Sequence, residues 1–307
     1  MEVGYVGLGK MGANMVERLL EKGYRVVVYD RNREALRAME QKGATIADSL
    51  SELAFAMTAP SVIWVMVPHT AVDDVLKELA SRLAPGDTVI DGGNSPYRES
   101  MRRAKELAAA GIEFLDAGVS GGPAGARNGA CIMAGGKPEV YARFERLFKD
   151  LAVEGGYARV GQAGAGHFVK MVHNGIEYGM MQALAEGFAV LRASPFGLDL
   201  AKVADLYGHR SVIESRLVDW LRNAYALSGQ ELEEVSGVVA QSGEGAWTAE
   251  TAKELGVPVP VIEAALRFRL ASAKDPGYTG KVLSALRNQF GGHDMKKQER
   301  AKEKVKA

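Results

Sequence analysis

The first half of the chain alternates short apolar runs with segments of helical periodicity. The apolar runs are VGYVGL (3–8), RVVVYD (25–30), SVIWVMV (61–67), DTVIDGG (87–93) and IEFLDAGV (112–119), and each has the length of one buried strand. Between them lie segments with helical spacing of apolar residues, and most of these end in a glycine, which is typical of a helix C-terminus. This alternation predicts βαβ units and a parallel sheet that is covered on both faces.

The pattern changes near a glycine-rich junction, GQAGAG (161–166). After residue 165 the strand signals stop, and long helical patterns follow, the first of which is GHFVKMVHNGIEYGMMQALAEGFAVLRA. We therefore predict an α/β domain over residues 1–165 and an all-α domain over residues 166–295. Residues 296–307 are charged and rich in lysine, and we expect a disordered tail there.

Bulk composition narrows the class of protein. A chain of 307 residues is long enough for two domains, and 47% hydrophobic with 25% charged residues is a globular composition. Lys+Arg and Asp+Glu balance at 38 each, so no overall charge favours binding to nucleic acid or to an anionic membrane. The single cysteine, Cys131, excludes an internal disulfide. No signal peptide is visible and no apolar stretch reaches the roughly 18 residues of a membrane span, so we expect a cytoplasmic protein.

The motif GLGKMG follows the first predicted strand and opens the first predicted helix. Its Gly7, Gly9 and Gly12 would let backbone amides approach a pyrophosphate at the positive end of the helix. Asp30 ends the next strand, where a carboxylate can hold both hydroxyls of a ribose. Strand, turn, helix and acid together predict a dinucleotide site, and hence a Rossmann-type doubly wound fold for the first domain.

The choice between NAD and NADP stays open at this point. Asp30 would repel a 2′-phosphate, which favours NAD, whereas Arg31 and Arg33 could accept that phosphate. Two more strand ends, VMVPH (65–69) and DGGNS (91–95), lie at the edge of the sheet where ligands bind. The residues that we predict to contact the cofactor are Gly7, Leu8, Gly9, Lys10, Met11, Gly12, Asp30, Arg31, Asn32, Met66, Val67, Pro68 and Asn94.

A stripe of polar residues marks the first helical pattern of the second half. Lys170, His173, Asn174 and Glu177 fall within an arc of about 100° on a helix, and Tyr178 follows them. A lysine and a glutamate at this spacing can form a plain surface ion pair. Four polar groups on one narrow stripe favour a functional site, and the nicotinamide end of the dinucleotide is the natural partner for it. A glycine-dense loop, GVSGGPAGARNG (118–129), offers the hydroxyl of Ser120 and bare amides to an anionic group.

Three segments together resemble one family. DGGNSPYRESMRR, GVSGGPAGARNG and GHFVKMVHNGIEYG are similar to the signature blocks of 6-phosphogluconate dehydrogenase, the decarboxylating enzyme of the pentose phosphate pathway and of gluconate utilisation. The resemblance covers residues 1–295, and the length resembles the short bacterial form. The 3-hydroxyisobutyrate dehydrogenase type shares only the GLGxMG turn and the K-x-x-x-N pair, here Lys170 and Asn174.

The resemblance implies specific roles for the stripe and for residues elsewhere in the chain. Lys170 would be the base and Glu177 the acid that protonates the product. Asn174 and Ser120 would also belong to the catalytic group. The residues implied to bind the sugar acid and its phosphate are Asn94, Ser120, Gly121, Gly122, His173, Asn174, Tyr178, Arg269, Arg287 and His293. One departure concerns QSGEGAWT, where Ser242 stands in place of a phosphate-contacting lysine of the long enzymes.

The resemblance also implies which substrate the protein binds and how its subunits assemble. The second domain would bind 6-phosphogluconate and form a homodimer or tetramer, with each active site completed by the partner's C-terminal segment. No metal is expected, since no His, Asp or Cys cluster has ligand spacing. Two alternatives remain: a β-hydroxyacid dehydrogenase of the 3-hydroxyisobutyrate type, which does not decarboxylate, and a dinucleotide-sensing protein without turnover. Arg269, Arg287 and His293 argue against a small acid, and Lys170 with Glu177 argues against a sensor.

Overall fold

A computed structural model describes residues 1–240, 243–293 and 295. Ser242 and the charged segment 296–307 lie outside the described residues. The described chain divides into two units, Met1–Met171 and the residues from Val172 onwards, and the division falls inside one long helix. Across the described ranges, no helix combines the length and apolar character that crossing a membrane requires.

The first unit contains strands and helices in alternation. Its strands are β1 Glu2–Val6, β2 Arg25–Tyr29, β3 Thr45–Ile46, β4 Val62–Val65, β5 Thr88–Asp91, β6 Glu113–Ser120, β7 Ala130–Gly136 and β8 Ala152–Gly161. Its helices are α1 Lys10–Glu21, α2 Arg33–Glu40, α3 Leu50–Ala56, α4 His69–Ala80, α5 Tyr97–Ala109, α6 Gly122–Asn128 and α7 Pro138–Leu151, and α8 Ala165–Ala193 begins there. The five predicted strands and the four predicted helices between them are confirmed.

One sheet runs through this unit in the order β3-β2-β1-β4-β5-β6-β7-β8. Both faces are buried, because alternate residues of each strand enter different cores. Trp64 and Ile90 belong to one hydrophobic cluster, whereas Ile63, Val65 and Val89 belong to another. The predicted doubly wound, Rossmann-type architecture is therefore confirmed. Because the strand order reverses between β1 and β4, the loops after these strands lie where such sheets bind ligands.

The five predicted strands pair in parallel, as expected, and the sheet continues beyond them with an antiparallel pair that was not predicted. β6 and β7 are antiparallel, with Ser120 opposite Cys131 and Gly118 opposite Met133. The connection between them, residues 121–129, is shorter than the roughly dozen residues that a parallel crossover needs. The strands β3, β7 and β8 were not predicted. β8 is mostly exposed and β7 contains two glycines, so neither has the continuous apolar run of a buried strand.

The glycine-dense segment 118–129, which was interpreted as a loop, is mostly regular structure. Gly118, Val119 and Ser120 form the end of β6, and Gly122–Asn128 form α6. Gly121 and Gly122 allow the abrupt change of direction, because both have positive φ angles, 121° and 62°. The helix itself is short and packs against α1.

The second unit is helical throughout its described residues, as predicted. It contains the rest of α8, followed by α9 Leu200–Tyr207, α10 Arg216–Ser228, α11 Glu244–Glu254, α12 Pro260–Ala271 and α13 Tyr278–Gly291. Side-chain caps start two of these helices: Asp199 accepts from the amide of Lys202, and Ser215 accepts from that of Val218. The core of this unit includes Phe188, Leu221 and Leu286.

Helix α8 begins directly on β6, within the first unit. The buried carboxylate of Asp116 accepts hydrogen bonds from the backbone amides of Gly164 (2.6 Å) and His167 (2.8 Å), and thus satisfies amides of the first turn that have no helical acceptor. One turn later the helix crosses Gly118, where a Cβ atom would lie 2.4 Å from the Cβ of Lys170 and 2.9 Å from the carbonyl oxygen of Gly166. Strand and helix are therefore in contact through their backbones.

This contact predicts the effect of one methyl group. Gly118→Ala should destabilise the protein by about 1–3 kcal/mol, because neither backbone can yield without moving the helix from the strand. The matched control, Gly187→Ala on the same helix, meets nothing within 4 Å and should stabilise by about 1 kcal/mol through helix propensity. Urea denaturation followed by circular dichroism measures both. Equal stability of Gly118→Ala and the unsubstituted protein would contradict the close contact.

Candidate active site

The turn after β1 has the geometry of a dinucleotide site. Gly7 has φ of 99°, and a Cβ on it would lie 2.3 Å from the carbonyl oxygen of Met66. A Cβ on Gly12 would lie 2.0 Å from the carbonyl oxygen of Gly7, so helix and turn pack without room for a side chain. Gly9 is the N-cap of α1, receives no side-chain cap and has open space around its Cβ position. Backbone amides at the N-terminus of a helix fit a pyrophosphate.

Asp30 lies against this turn and is held by backbone amides. One carboxylate oxygen accepts from the amide of Leu8 at 2.6 Å and the other accepts from the amide of Asn32 at 2.7 Å. Asn32 in turn caps α2 through its own side chain. The carboxylate is thus fixed at the end of β2, where a ribose of the dinucleotide would lie. Arg33 forms an ion pair with Asp48, while Arg31 is exposed.

The loops after β4 and β5 lie side by side. A Cβ on Gly93 would lie 2.8 Å from the carbonyl oxygen of Val67 and 3.2 Å from the carboxylate of Asp91. The predicted cofactor residues Met66, Val67 and Pro68 are therefore close to the loop that carries Asn94. Since this edge also holds the Gly7 turn, the structure brings the predicted cofactor residues of the first unit to one end of the sheet.

Lys170 and Ser120 meet the same face of β6. Residues two apart on a strand share a face, so Ser120 lies on the side of Gly118, over which the stem of Lys170 packs. The next residues, Gly121 and Gly122, turn into α6 with backbone amides near that strand end. The predicted base and the predicted substrate-binding residues of this loop are thus neighbours.

The polar stripe continues along α8. The segment is one helix from Ala165 to Ala193, so Lys170, His173, Asn174 and Glu177 occupy one side of it. A ring nitrogen of His173 lies 2.9 Å from the side-chain oxygen of Asn174 and 3.9 Å from the carboxylate of Glu177. These groups can therefore exchange hydrogen bonds with each other and with a bound polyol.

Two buried arginines form a candidate anion site within the helical unit. Arg269 on α12 is 3% exposed and Arg287 on α13 is 7% exposed. The guanidinium carbon of Arg269 lies 3.4 Å from the ring centroid of Tyr178, a cation–π contact. Its only hydrogen bond to a described residue is a long one, 3.6 Å, to the sulfur of Met181.

The arrangement leaves these two cations poorly compensated. Burial lowers the pKa of Arg269, and the nearby charge of Arg287 lowers it further, while Tyr178 opposes the shift. Burial likewise lowers the pKa of Arg287. The charges of Glu177 and Glu244 raise the pKa values of both arginines, but burial outweighs them. Because arginine keeps its charge, two such groups favour an anion as their partner, and phosphate suits their geometry.

A buried glutamate in this cluster was missed from the sequence. Glu244 is 3% exposed at the start of α11, and its charge raises the pKa values of both Arg287 and Arg269 against the effect of burial. The next residue fixes the helix against the tyrosine, because a Cβ on Gly245 would lie 2.5 Å from the ring of Tyr178. In the segment QSGEGAWT, only Ser242 was considered from the sequence. The spacing of apolar residues does not show whether a glutamate such as Glu244 is buried or exposed.

The remaining predicted residues lie near the end of the described chain. His293 contacts the ring of Phe290 at a centroid distance of 6.3 Å, and its carbonyl oxygen accepts from the side chain of Asn288 at 2.9 Å. Among residues 1–240, 243–293 and 295, no group of three or more His, Cys, Asp or Glu side chains could hold a metal ion.

Comparison with known proteins identifies both halves. Residues 2–162 match the NAD binding domain of 6-phosphogluconate dehydrogenase, and residues 166–306 match the C-terminal domain of the same family. The chain is 47% identical to YqeC of Bacillus subtilis (strain 168), over 97% of this chain and 100% of that protein. It is 40% identical to the NAD(+)-dependent, decarboxylating 6-phosphogluconate dehydrogenase of Haloferax volcanii, over 96% of this chain and 98% of that one.

Solved structures agree with these matches. The 6-phosphogluconate dehydrogenase of Plasmodium falciparum superposes with a TM-score of 0.81 at 30% identity, over 89% of this chain and 62% of that one. A 3-hydroxyisobutyrate dehydrogenase of Salmonella typhimurium superposes with a TM-score of 0.73 at 25% identity, over 92% and 99% of the two chains. The two activities share this fold, so the fold alone does not separate them, whereas the matched C-terminal domain does. The chain belongs to the 6-phosphogluconate dehydrogenase family.

Proposed function

We propose that the protein catalyses the oxidative decarboxylation of 6-phospho-D-gluconate to D-ribulose 5-phosphate and CO2, with reduction of a nicotinamide dinucleotide. The observation that carries this proposal is the pair of buried guanidinium groups, Arg269 and Arg287, because a phosphate is the kind of anion that they fit. A 3-hydroxy acid of the 3-hydroxyisobutyrate type has no phosphate for them to hold. Family membership of both halves of the chain supports the same reaction.

The geometry of the first unit supports the roles that we propose for its residues. The amides around Gly9 and the carboxylate of Asp30 would hold the pyrophosphate and a ribose, and Met66, Val67, Pro68 and Asn94 would border the nicotinamide. A bound oxidised nicotinamide supplies the hydride acceptor. Ser120 and the glycines after it would hold the carboxylate end of the sugar acid through a hydroxyl and backbone amides.

Proton transfer would then belong to two side chains of α8. The amine of Lys170, in its unprotonated form, takes the proton of the C3 hydroxyl as the hydride leaves that carbon. The resulting ammonium donates to the new C3 carbonyl oxygen, which accepts electron density when the C1 carboxyl group leaves as CO2. Glu177 protonates the enediol at the carbon that lost CO2, which completes the product. His173 and Asn174 would hold the hydroxyls between these two groups.

A substrate and cofactor matrix tests the proposal as a whole. We expect 6-phosphogluconate to give reduced cofactor and CO2 in equal amounts, and 3-hydroxyisobutyrate to give at most a trace of reduced cofactor. Arg269→Met should raise KM for 6-phosphogluconate by about 10²-fold, as expected from the loss of one buried charged hydrogen-bonding group. Absorbance at the reduced nicotinamide band and trapped CO2 provide the two readouts. Faster turnover of the smaller acid would refute the proposal.

Lys170→Met tests the assignment of the base. The substitution keeps the length of the side chain and its packing over Gly118 but removes the proton acceptor, so kcat should fall by at least about 10²-fold. Binding of NADH, followed by its fluorescence, should be unchanged, since that side chain is not needed to hold the dinucleotide. Activity within threefold of the unsubstituted enzyme would remove Lys170 from the mechanism.

We further propose that NAD is the preferred cofactor. Asp30 is held rigidly by two amides, so it cannot swing away from a 2′-phosphate, and Arg33 is engaged by Asp48. Asp30→Asn should therefore raise kcat/KM for NADP relative to NAD, with the exposed Arg31 as the new phosphate partner. Arg31→Ala in the same background should cancel the gain. A strong preference of the unsubstituted enzyme for NADP would show that Asp30 does not decide the choice.

The shared active site is a separate proposal about assembly. We infer that His293 of one subunit completes the site of its partner in a homodimer, while Arg287 serves its own chain beside Tyr178. Mixing the inactive variants Lys170→Met and His293→Ala with subunit exchange should restore up to about a quarter of normal activity, because one site of each heterodimer carries neither lesion. A mixture that stays inactive despite proven exchange would place His293 in its own subunit's site.

A further inference from the structure

The last arginine of the DGGNSPYRESMRR segment is buried at the nicotinamide edge of the sheet. Arg103 lies on α5 and is 2% exposed. Its guanidinium contacts four residues, two at or just after the end of β5 and two on α4. It donates to Asp91 at 3.3 Å and to the hydroxyl of Ser95 at 3.0 Å. It also donates to the carbonyl oxygen of His69 at 3.2 Å and to the carboxylate of Asp73 at 2.7 Å. One side chain thus joins the ends of two strands.

The partners on one side shape the loop that carries Asn94. Asp91, the last residue of β5, is fully buried. Its carboxylate accepts from the amide of Gly93 at 3.1 Å and from the hydroxyl of Ser95 at 2.9 Å, so the loop closes around it. Asn94 lies between these two contacts. Its position is therefore set by Asp91, and Arg103 fixes Asp91 and Ser95 together.

The partners on the other side belong to the first turn of α4. His69 begins this helix, directly after Met66, Val67 and Pro68. The two loops also touch, since the backbone of Gly93 packs against the carbonyl oxygen of Val67. Arg103 thereby ties the loop of Asn94 to the loop that would border the nicotinamide.

A buried charge of this kind is not explained by stability alone. Taking a guanidinium and a carboxylate out of water is costly, and apolar side chains of the same volume can be as stabilising as a buried ion pair. A planar donor with fixed directions does something that an apolar side chain cannot, because it defines the distance and angle between the groups that it joins.

We propose that Arg103 is a positioning residue of the reaction, which sets Asn94 at its working distance from the 66–68 loop. The inference rests on the proposed contacts of Asn94 with cofactor and substrate. It assigns a function to the last of the three arginines in the DGGNSPYRESMRR segment. A shift of the loop by about 1 Å is enough to cost about 10²-fold in rate when reacting groups are misplaced.

The first experiment compares Arg103→Lys with a control at Asp87. Arg103 contacts Asp91 at the end of β5, whereas Asp87 lies directly before the start of that strand. Asp87 is also buried, and it holds two loops there by accepting from the amides of Ser61 (2.6 Å) and Ala84 (2.8 Å). Arg103→Lys keeps the charge but cannot contact both loops at once, so kcat/KM for 6-phosphogluconate should fall by about 10²-fold. Asp87→Asn should lower the thermal midpoint while kcat/KM stays within about twofold, since only structure is affected.

Ligand binding supplies a readout that does not depend on turnover. ADP-ribose needs only the Gly7–Gly12 turn and Asp30, whereas NADH also reaches the Asn94 loop. In Arg103→Lys the dissociation constant for ADP-ribose should be unchanged, and that for NADH should rise by about tenfold through the lost contact. The proposal would be overturned if both dissociation constants rose by the same factor, or if neither of them changed. If Arg103→Lys does not fold, Ser95→Ala removes one contact of the same cluster and should shift NADH binding in the same direction.

A double-mutant cycle with Asn94→Ala shows whether Arg103 acts through Asn94. If it does, the double variant should be no slower than Asn94→Ala alone. Once the Asn94 side chain is removed, Arg103→Lys has no side chain left to displace. Fully additive losses would overturn the inference while leaving the proposed role of Asn94 intact. A fully active Asn94→Ala variant would instead refute that role, and the inference with it.

Discussion

Helix α8 starts on strand β6 where Gly118 contributes no side chain of its own, and the candidate chemistry depends on that contact. Asp116 holds the first turn of the helix by its amides, and Gly118 brings the stem of Lys170 onto the strand. Because both elements are regular and packed, the amine of Lys170 extends from a rigid base rather than from a loop. Ser120 shares the same face of the strand, so the distance between base and serine is fixed by backbone geometry.

The candidate anion site of the second unit depends on burial instead. It consists of two buried guanidinium groups, and a cation–π contact with Tyr178 compensates part of the burial of Arg269. Such an arrangement stores an unfavourable burial energy that a bound anion relieves. Glu244 moderates the field of the two guanidinium groups, because its charge raises the pKa of each. Affinity for phosphate can thus be strong while release of a phosphorylated product remains possible.

Much of the fold and part of the site could be predicted because they leave local signals. Each long apolar run became a strand, and the glycines of GLGKMG and Asp30 lie where strand, turn and helix require them. The edge strand β8 could not be predicted, since an exposed strand with three glycines lacks apolar periodicity. The pairing of Arg33 with Asp48 and the burial of Arg103 and Glu244 were also missed. These depend on contacts between segments distant in sequence, and the identity of a charged residue does not reveal its partner.

The two amides that grip Asp30 connect cofactor choice to the integrity of the turn itself. A carboxylate has an acceptor oxygen for the amide of Leu8 and another for that of Asn32. Any neutral replacement of similar size has only one, so one of these amides must lose its partner, at a cost of about 1–3 kcal/mol if it stays buried. A change of preference from NAD to NADP at Asp30 would therefore alter the hydrogen bonds of the turn as well as its charge. A lineage that altered this position would first have to find another acceptor for the amide of Leu8, which would make the proposed cofactor choice slow to reverse.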